Sequence, residues 1–360
     1  MGKAPTVYDV AAKAGVSVAT VSRVLHNPTA VRDKTRDRVM DIIQELAYLP
    51  SGSARTLATR RNGIFGLFFP GFDGIEQPGP VTPTDSEITI VDDTESGYTV
   101  PRPNTYFDEV LFGAELEAWH SGFALMVAAG RGPSQEMILN NIAGHVDGLA
   151  VIARTVENDV LERVARRIPV VVVSGVPDDG AFDHVVVDNE RGMHALVAHL
   201  IQTREIASLT YVSGPEDSPD NHERLRGFQS AVADSVRELR STVTEHGDFT
   251  QERGFDLGSR LIDEGELSDV LVCGNDQLAL GVLDACASRG VSVPRDVLVS
   301  GFDGIEATLQ CIPRLTSVQQ PMAALGRAAM RMLIARLDDP SREPQTEQLP
   351  VRILLRQSTE

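Results

Sequence analysis

Residues 6–25 read TVYDVAAKAGVSVATVSRVL, two short helical patterns hinged on Ala14-Gly15-Val16. Thr6 is placed to cap the first helix, with Asp9 three residues on reaching back as a capping box. Val10, Ala11 and Ala14 are spaced to face a small core, and Gly15 ends the helix because glycine accepts the left-handed conformation without steric penalty. Ser17 is then the cap of a second helix whose inner face is Val21, Val24 and Leu25. Val18, Ala19, Ser22 and Arg23 are left outside. Two helices joined by a tight glycine turn match the helix-turn-helix, in which the second helix enters the major groove of DNA. A generic helical hairpin is the competing reading of these helices alone. The next forty residues of the chain decide against it.

A third helix is expected from about Asp33 to Leu46, burying Val39, Ile42, Ile43 and Leu46. After it comes LAYLPSGSARTLATRRN, residues 46–62. Taken together, VYDVAAKAGVSVATVSRVL and ELAYLPSGSARTLATRR resemble the lactose-repressor/galactose-repressor (LacI/GalR) family of bacterial regulators. Later segments in the family's order carry the resemblance over nearly the whole chain: VDNERG at 187–192, ERLRGF at 223–228, GNDQLALGVL at 274–283, SGFDG at 300–304 and LTSVQQP at 315–321.

Charge divides the chain in the same place. The first sixty-one residues hold ten Lys/Arg and five Asp/Glu, and the rest hold 23 and 46. A basic head on an acidic body directs phosphate binding to the head and keeps the body off DNA. The start, MGKAPT, lacks an apolar signal core, and no run approaches membrane-spanning length, so a cytoplasmic protein without membrane contact is expected. Cys273, Cys286 and Cys311 show no CxxC or metal-ligand spacing and read as buried thiols in a reducing compartment. No cofactor or metal is expected.

From Ile64 onward, strand-like runs alternate with helical patterns: 64–69, 124–129, 148–153, 170–173, 209–212, 270–274 and 297–301. Near-continuous Val/Leu/Ile runs separated by helices indicate parallel strands buried on both faces. The fold class is therefore an N-terminal all-α helix-turn-helix domain (1–50) and a hinge (51–62) ahead of an α/β domain (63–360). The resemblance implies that this last part is two-lobed and periplasmic-binding-protein-like. It puts 63–188 and 319–340 in the first lobe and 189–318 and 345–360 in the second. Relatives run directly from the first strand into the next helix. Here about thirty residues, 74–103, are inserted, with five prolines and a hairpin pattern at 87–100. A lid or docking surface and a surface decoration are equally open readings of that insert.

Asn275 and Asp303 each follow a strand, and Arg224 opens a helix; ligands of open α/β sheets bind at such places. Arg and Asp together suit a polyhydroxylated ligand, since guanidinium donates in a planar fork and carboxylate accepts hydroxyls. The resemblance implies effector contacts at Arg224, Phe249, Asn275, Asp303 and Gln320, with Phe249 as an aromatic platform. First-lobe candidates are Phe72, Asp73, Tyr106, Phe107 and Ser174. A mere Arg224–Asp303 ion pair is the plain alternative.

For DNA, the candidates on the head are Thr6, Tyr8, Ser17, Val18, Ala19, Thr20, Ser22, Arg23 and Asn27. Val18 and Ala19 can meet only apolar features such as the thymine methyl, whereas Arg23 suits guanine or a phosphate. In the hinge, the resemblance makes Ser53, Ala54, Arg55 and Leu57 a DNA-ordered helix, with Leu57 of each subunit wedging into the minor groove. An apolar wedge favours a deformable central step, hence a pseudo-palindrome with central CG. Arg32 stands where relatives often cap the third helix with Ser.

The resemblance thus implies a regulator of operator double-stranded DNA, acting as a repressor and a homodimer, and controlled by a sugar or polyol between the lobes. The chain stops at LLRQSTE without leucine heptads, which favours a dimer over a tetramer. A sugar sensor without a DNA role, and a regulator answering to a protein co-regulator, are the rivals. An enzyme is disfavoured: Ser174, His184, His199 and His222 are scattered, and no nucleophile elbow, Walker A loop or HExxH occurs.

Overall fold

The computed structural model describes residues 5–26, 28–48, 61–70, 105–130, 135–153, 156–177 and 182–360. They fall into two compact units, 1–62 and 63–360. The expected hinge helix, the 74–103 insert, Asn27, Phe72 and Asp73 lie outside the described residues.

Among the described residues the first unit has three helices, α1 (Val7–Ala14), α2 (Val18–His26) and α3 (Asp33–Glu45), with a 3-10 turn at Pro28–Ala30. The capping box is formed: the Thr6 amide donates to Asp9 Oδ2 at 2.7 Å and the Asp9 amide to Thr6 Oγ1 at 3.4 Å. Gly15 takes φ 62° and ψ 39°, so the chain reverses after two turns of helix. Val10, Ala11, Ala14, Val21, Val24 and Val39 close the core, and Tyr48, not anticipated from the sequence, joins them. Val18 rests partly on this core rather than standing wholly outside it. Arg32 gives α3 no side-chain cap. Thr6→Ala removes both halves of the capping box and is expected to lower head stability by about 1 kcal/mol, read as the thermal midpoint of the isolated unit against wild type.

The second unit contains β1 (Ile64–Pro70), α4 (Thr105–His120), β2 (Ala124–Gly130), α5 (Gln135–Ala143), β3 (Gly148–Ile152), α6 (Asn158–Ala165), β4 (Val170–Val173), β5 (Asp183–Val187), α7 (Asn189–Thr203), β6 (Ser208–Val212), α8 (Pro219–Ala233) and β7 (Arg240–Val243). It continues through α9 (Gln251–Asp263), β8 (Val270–Cys273), α10 (Asp276–Ser288), β9 (Leu298–Asp303), α11 (Ala307–Gln310), β10 (Thr316–Gln319), α12 (Met322–Asp338), β11 (Thr346–Leu349) and β12 (Arg352–Leu354). Two six-stranded sheets result, ordered β11-β5-β4-β3-β1-β2 and β12-β10-β9-β8-β6-β7. Among the described residues every pairing is parallel except β10 with β12. The Val/Leu/Ile runs form the buried centres, since helices cover both faces of a parallel sheet.

The chain crosses between sheets three times, after β5, after β10 and after β11. The last crossing corrects the expected boundary. The family resemblance puts residues 346–349 with the second lobe, but β11 pairs with β5 in the first sheet, Thr346 opposite His184. Arg336 of α12 explains it. Its Nε and Nη2 grip Asp183 of β5 at 2.8 and 2.9 Å while Nη1 holds the Arg342 carbonyl at 2.7 Å. The segment leaving α12 is thereby delivered to the edge of the first sheet. Helices α4 and α12 lie backbone against backbone, because a side chain at Gly113 would strike the Ala323 carbonyl and one at Gly326 the Val110 carbonyl. Among the described residues no helix is long and apolar enough to cross a membrane.

Candidate functional site

The head presents one polar helix face. Arg23 and Ala19 are exposed on α2, Tyr8 is 71% exposed on α1, and Thr20 and Ser22 are half-buried. Ser17 caps α2 by accepting the Thr20 amide at 3.2 Å, and the Ser17 and Thr20 hydroxyls share a 2.9 Å hydrogen bond. Thr6 and Ser17 thus do structural work as caps while standing at helix N-termini, where backbone N–H groups favour phosphate. The structure joins Thr6, Tyr8, Ser17, Val18, Ala19, Thr20, Ser22 and Arg23 into one small domain.

The second unit gathers the other candidates at the ends of four strands. Arg224 is buried on α8, two turns from the Ser218 cap and Pro219 that start this helix. Its Nε donates to Asn189 Oδ1 at 2.9 Å and its Nη1 to the Gly274 carbonyl at 2.8 Å. The same Nη1 lies 3.4 Å from Asp303 Oδ1, and the guanidinium carbon sits 3.9 Å from the Phe302 ring centroid and 5.9 Å from that of Phe249. Asp303 is the last residue of β9 rather than the first beyond it. Gln320 Nε2 donates to Asp303 Oδ1 at 2.7 Å. Asn275 caps α10 through the Leu278 amide at 2.9 Å and donates to the Phe249 carbonyl at 3.2 Å, so it positions the aromatic residue.

From the first lobe, Tyr106 at the start of α4 shares a hydrogen bond with Ser174 just past β4. Tyr106 also feels the charges of Asp220, Asp303 and Arg224, which places it against the second lobe. Phe107 meets Phe69 and Tyr106 edge-on, at 5.5 and 5.4 Å between centroids, and packs on the core of the first lobe. The Gly175 amide donates to Asp220 Oδ1 across the lobes at 3.2 Å.

Electrostatics follow from burial. The Asp303 carboxyl is raised to about 6 by burial, against the pull of Arg224 and the Gln320 hydrogen bond. Burial, reinforced by Asp220, lifts the Tyr106 phenol above its usual range. Asp276, fully buried behind Asp303, is raised by burial and by Asp303, although the Gly304 and Ile305 amides and the Ser317 hydroxyl all donate to it. Sequence reasoning missed Asn189, Asp220, Asp276 and Phe302. The strand-to-helix junctions at Asp188-Asn189 and Asn275-Asp276 are the signals that mark two of them.

Four non-glycine residues have positive φ among those described: Ala47 at 47°, Ser174 at 68°, Phe249 at 67° and Asp303 at 121°. Three of the four are effector candidates. Such backbone is held at a cost of roughly 1–3 kcal/mol each and concentrates where a site dictates side-chain direction. Among the described residues, no group of three or more His, Cys, Asp and Glu is arranged to hold a metal ion.

Comparison with known proteins agrees with both halves. A family model described as bacterial regulatory proteins, lacI family, matches residues 6–51, and one described as periplasmic binding protein-like domain matches 197–359. The HTH-type transcriptional regulator CelR of Thermobifida fusca is 30% identical over 363 residues, covering 98% of each chain. The solved CelR–cellobiose complex is 26% identical with a TM-score of 0.66, covering 98% of this chain and 99% of its own. The lac repressor dimer bound to operator and the anti-inducer ONPF, 24% identical, shares the fold over 99% of both chains at a TM-score of 0.78. With a helix-turn-helix head, a two-lobed α/β body and a relative of this likeness over its whole length, the chain belongs to the LacI family, as a DNA-binding transcriptional regulator with a ligand-binding domain.

Proposed function

We propose that the chain is a homodimeric, cytoplasmic regulator, a repressor, whose operator affinity is set by a small sugar or polyol held between its two lobes. The observation that carries the ligand reading is the convergence of Arg224, Asp303, Gln320, Asn275 and Phe249 from the second lobe with Tyr106 and Ser174 from the first, three of them on strained backbone. A guanidinium, a carboxylate, an amide and an aromatic face are what a ring bearing several hydroxyls needs. The likeness to CelR, solved with cellobiose, supports a saccharide.

On the DNA side, Arg23 is the base reader on α2, flanked by Ala19 and Val18 for thymine methyls. Leu57 is the minor-groove wedge and sets a central CG step. An effector that alters the separation of the lobes changes the geometry that two heads must match, and so shifts operator affinity.

Selection of bound duplexes from a random pool, then titration of the winner at two salt concentrations with cellobiose, glucose, galactose, ribose and inositol, tests this reading. The expected winner is a palindrome with central CG whose affinity moves with one panel member. An asymmetric winner, or none, removes the DNA role. A response unchanged in Asp303→Ala favours a protein co-regulator over a small ligand.

On the selected duplex, Arg23→Ala is expected to weaken binding by about 10- to 100-fold, the worth of one bidentate base contact. Discrimination should relax at the base pair it reads. Uniform loss across sequences with a shallower salt slope would mark Arg23 as a phosphate contact instead.

A further inference from the structure

Asn189 is 1% exposed and is the first residue of α7, directly after the first crossing from one lobe to the other. Both polar atoms of its side chain are used. Oδ1 accepts from Arg224 Nε at 2.9 Å, and Nδ2 donates to Asp220 Oδ1 at 2.9 Å and to Glu223 Oε2 at 3.0 Å. Asp220 and Glu223 lie on one face of α8, three residues apart, with Arg224 next to them. The same Asp220 oxygen accepts the Gly175 amide of the first lobe at 3.2 Å. Gly175 follows Ser174, which holds Tyr106.

One chain of hydrogen bonds, with the Arg224–Asp303 ion pair as one link, therefore runs from Gln320, at the second crossing, through Asp303, Arg224 and Asn189, at the first crossing, to Asp220 and on to the facing lobe. We propose that Asn189 is a positioning residue that couples ligand engagement of Arg224 to the interlobe crossing and, through Asp220, to the first lobe. This rests on the reading of Arg224 and Asp303 as effector contacts.

The physics is that of a rigid lever. A guanidinium is planar, so a ligand hydroxyl drawing on its Nη end or on Asp303 must tilt the whole group, and Nε moves with it. Asn189 is the partner of that Nε. It cannot follow without changing its grip on Asp220, because both faces of its amide are occupied. A buried amide whose oxygen and nitrogen are both engaged has two outcomes when one partner moves: it shifts as a unit, or it leaves a buried polar group unsatisfied. Placement at the crossing makes the first outcome a change in lobe geometry. No such consequence follows for a polar residue in the middle of a helix.

Asn189→Asp separates the two halves of the role. The carboxylate still accepts from Arg224, so the effector contact is kept. It can no longer donate to Asp220 and Glu223, and it adds a like charge beside them. Glu190→Gln, one residue on and on the surface against Arg226, is the control.

Two measurements on the full chain decide the matter. Hydrogen–deuterium exchange on the unliganded protein should show the Gly175 amide exchanging at least about tenfold faster in Asn189→Asp than in wild type or Glu190→Gln, with β4 unchanged. The ratio of operator affinities with and without the panel sugar active on wild type (cellobiose being tried first) should fall about fivefold or more in Asn189→Asp. Calorimetric affinity for that sugar should stay within about threefold of wild type, which a general loss of structure would not allow. Wild-type exchange at Gly175 with a wild-type operator ratio would overturn the coupling while leaving the effector reading intact. If no panel sugar shifts wild-type operator affinity, the effector reading itself fails and takes the coupling with it.

Discussion

Replacing Arg224 by alanine is expected to abolish the ligand response and to cost the second unit about 3 kcal/mol or more of stability. The side chain is buried, as is its ion-pair partner Asp303, and removing one member of a buried pair leaves the other uncompensated. Asn189 Oδ1 and the Gly274 carbonyl also lose their donor, and Phe302 loses the cation on its face. The loss should depend on pH, with a definite sign. Asp303 already titrates near 6, above the ordinary carboxylate value, because burial opposes its charge while Arg224 favours it. A carboxyl raised in the folded state contributes stability that is full below its unfolded value and is lost as pH rises through its folded one. Without Arg224 the folded value rises further. The gap between wild type and Arg224→Ala should therefore be smallest near pH 4, where only the lost contacts to Asn189, Gly274 and Phe302 count, and widen from about pH 6 upward. Urea unfolding of both proteins at pH 4.5, 6 and 8 measures it; a gap independent of pH would mean that Asp303 does not titrate in that range. Ligand affinity should fall about 100-fold, as for a charged hydrogen bond removed from a buried site.

Asp276 should separate two substitutions that look alike on paper. Its carboxylate accepts the Gly304 amide at 2.6 Å, the Ile305 amide at 2.9 Å and the Ser317 hydroxyl at 2.6 Å, with no exposed surface. Asp276→Ala strands three buried donors, at roughly 1–3 kcal/mol each. It also frees the turn that fixes Asp303 at φ 121°. We expect a unit that is largely unfolded at 37 °C. Asp276→Asn should be tolerated. The two amides donate to Oδ2, which the asparagine oxygen can replace, and the new amide can donate to Ser317 Oγ. Equal damage from both substitutions in a urea melt would show that the charge, and not the acceptor geometry, holds this turn.

These outcomes separate what could be read along the chain from what could not. The head was legible almost residue by residue, because caps, a glycine turn and 3.6-residue periodicity are local signals. Thr6, Asp9, Gly15 and Ser17 each act within four residues of themselves. Most buried strand centres were legible for a similar reason, since a run such as VVVV at 170–173 has no alternative but the interior of a sheet, whereas DHVVV at 183–187 and TSVQ at 316–319, each broken by polar residues, were not marked. Of the edge strands, ALMVAA at 124–129 was legible from its apolar run, but two others were not. RSTV at 240–243 is exposed throughout, and TEQL at 346–349 alternates without an apolar face, so neither carries a burial signal.

The ligand site divides on the same line. Arg224, Asn275 and Asp303 stand beside strand ends or helix starts, and the sequence marks those places together with the chemistry of the side chains. Their partners are set by strand order. Only the second sheet's order β10-β9-β8-β6 sets Gln320, Asp303, Gly274 and Arg224 side by side, although they span 97 positions of the chain. The sequence determined by itself the two-part organisation, the helix-turn-helix and the alternating α/β pattern, because each depends on the order and spacing of near neighbours. Tertiary structure alone decided that Asn189 bridges Arg224 to Asp220, that Phe302 underlies the guanidinium, and that residues 346–349 belong to the first lobe. Hydrogen bonds between distant segments depend on where strands align in space, and no local spacing carries that information.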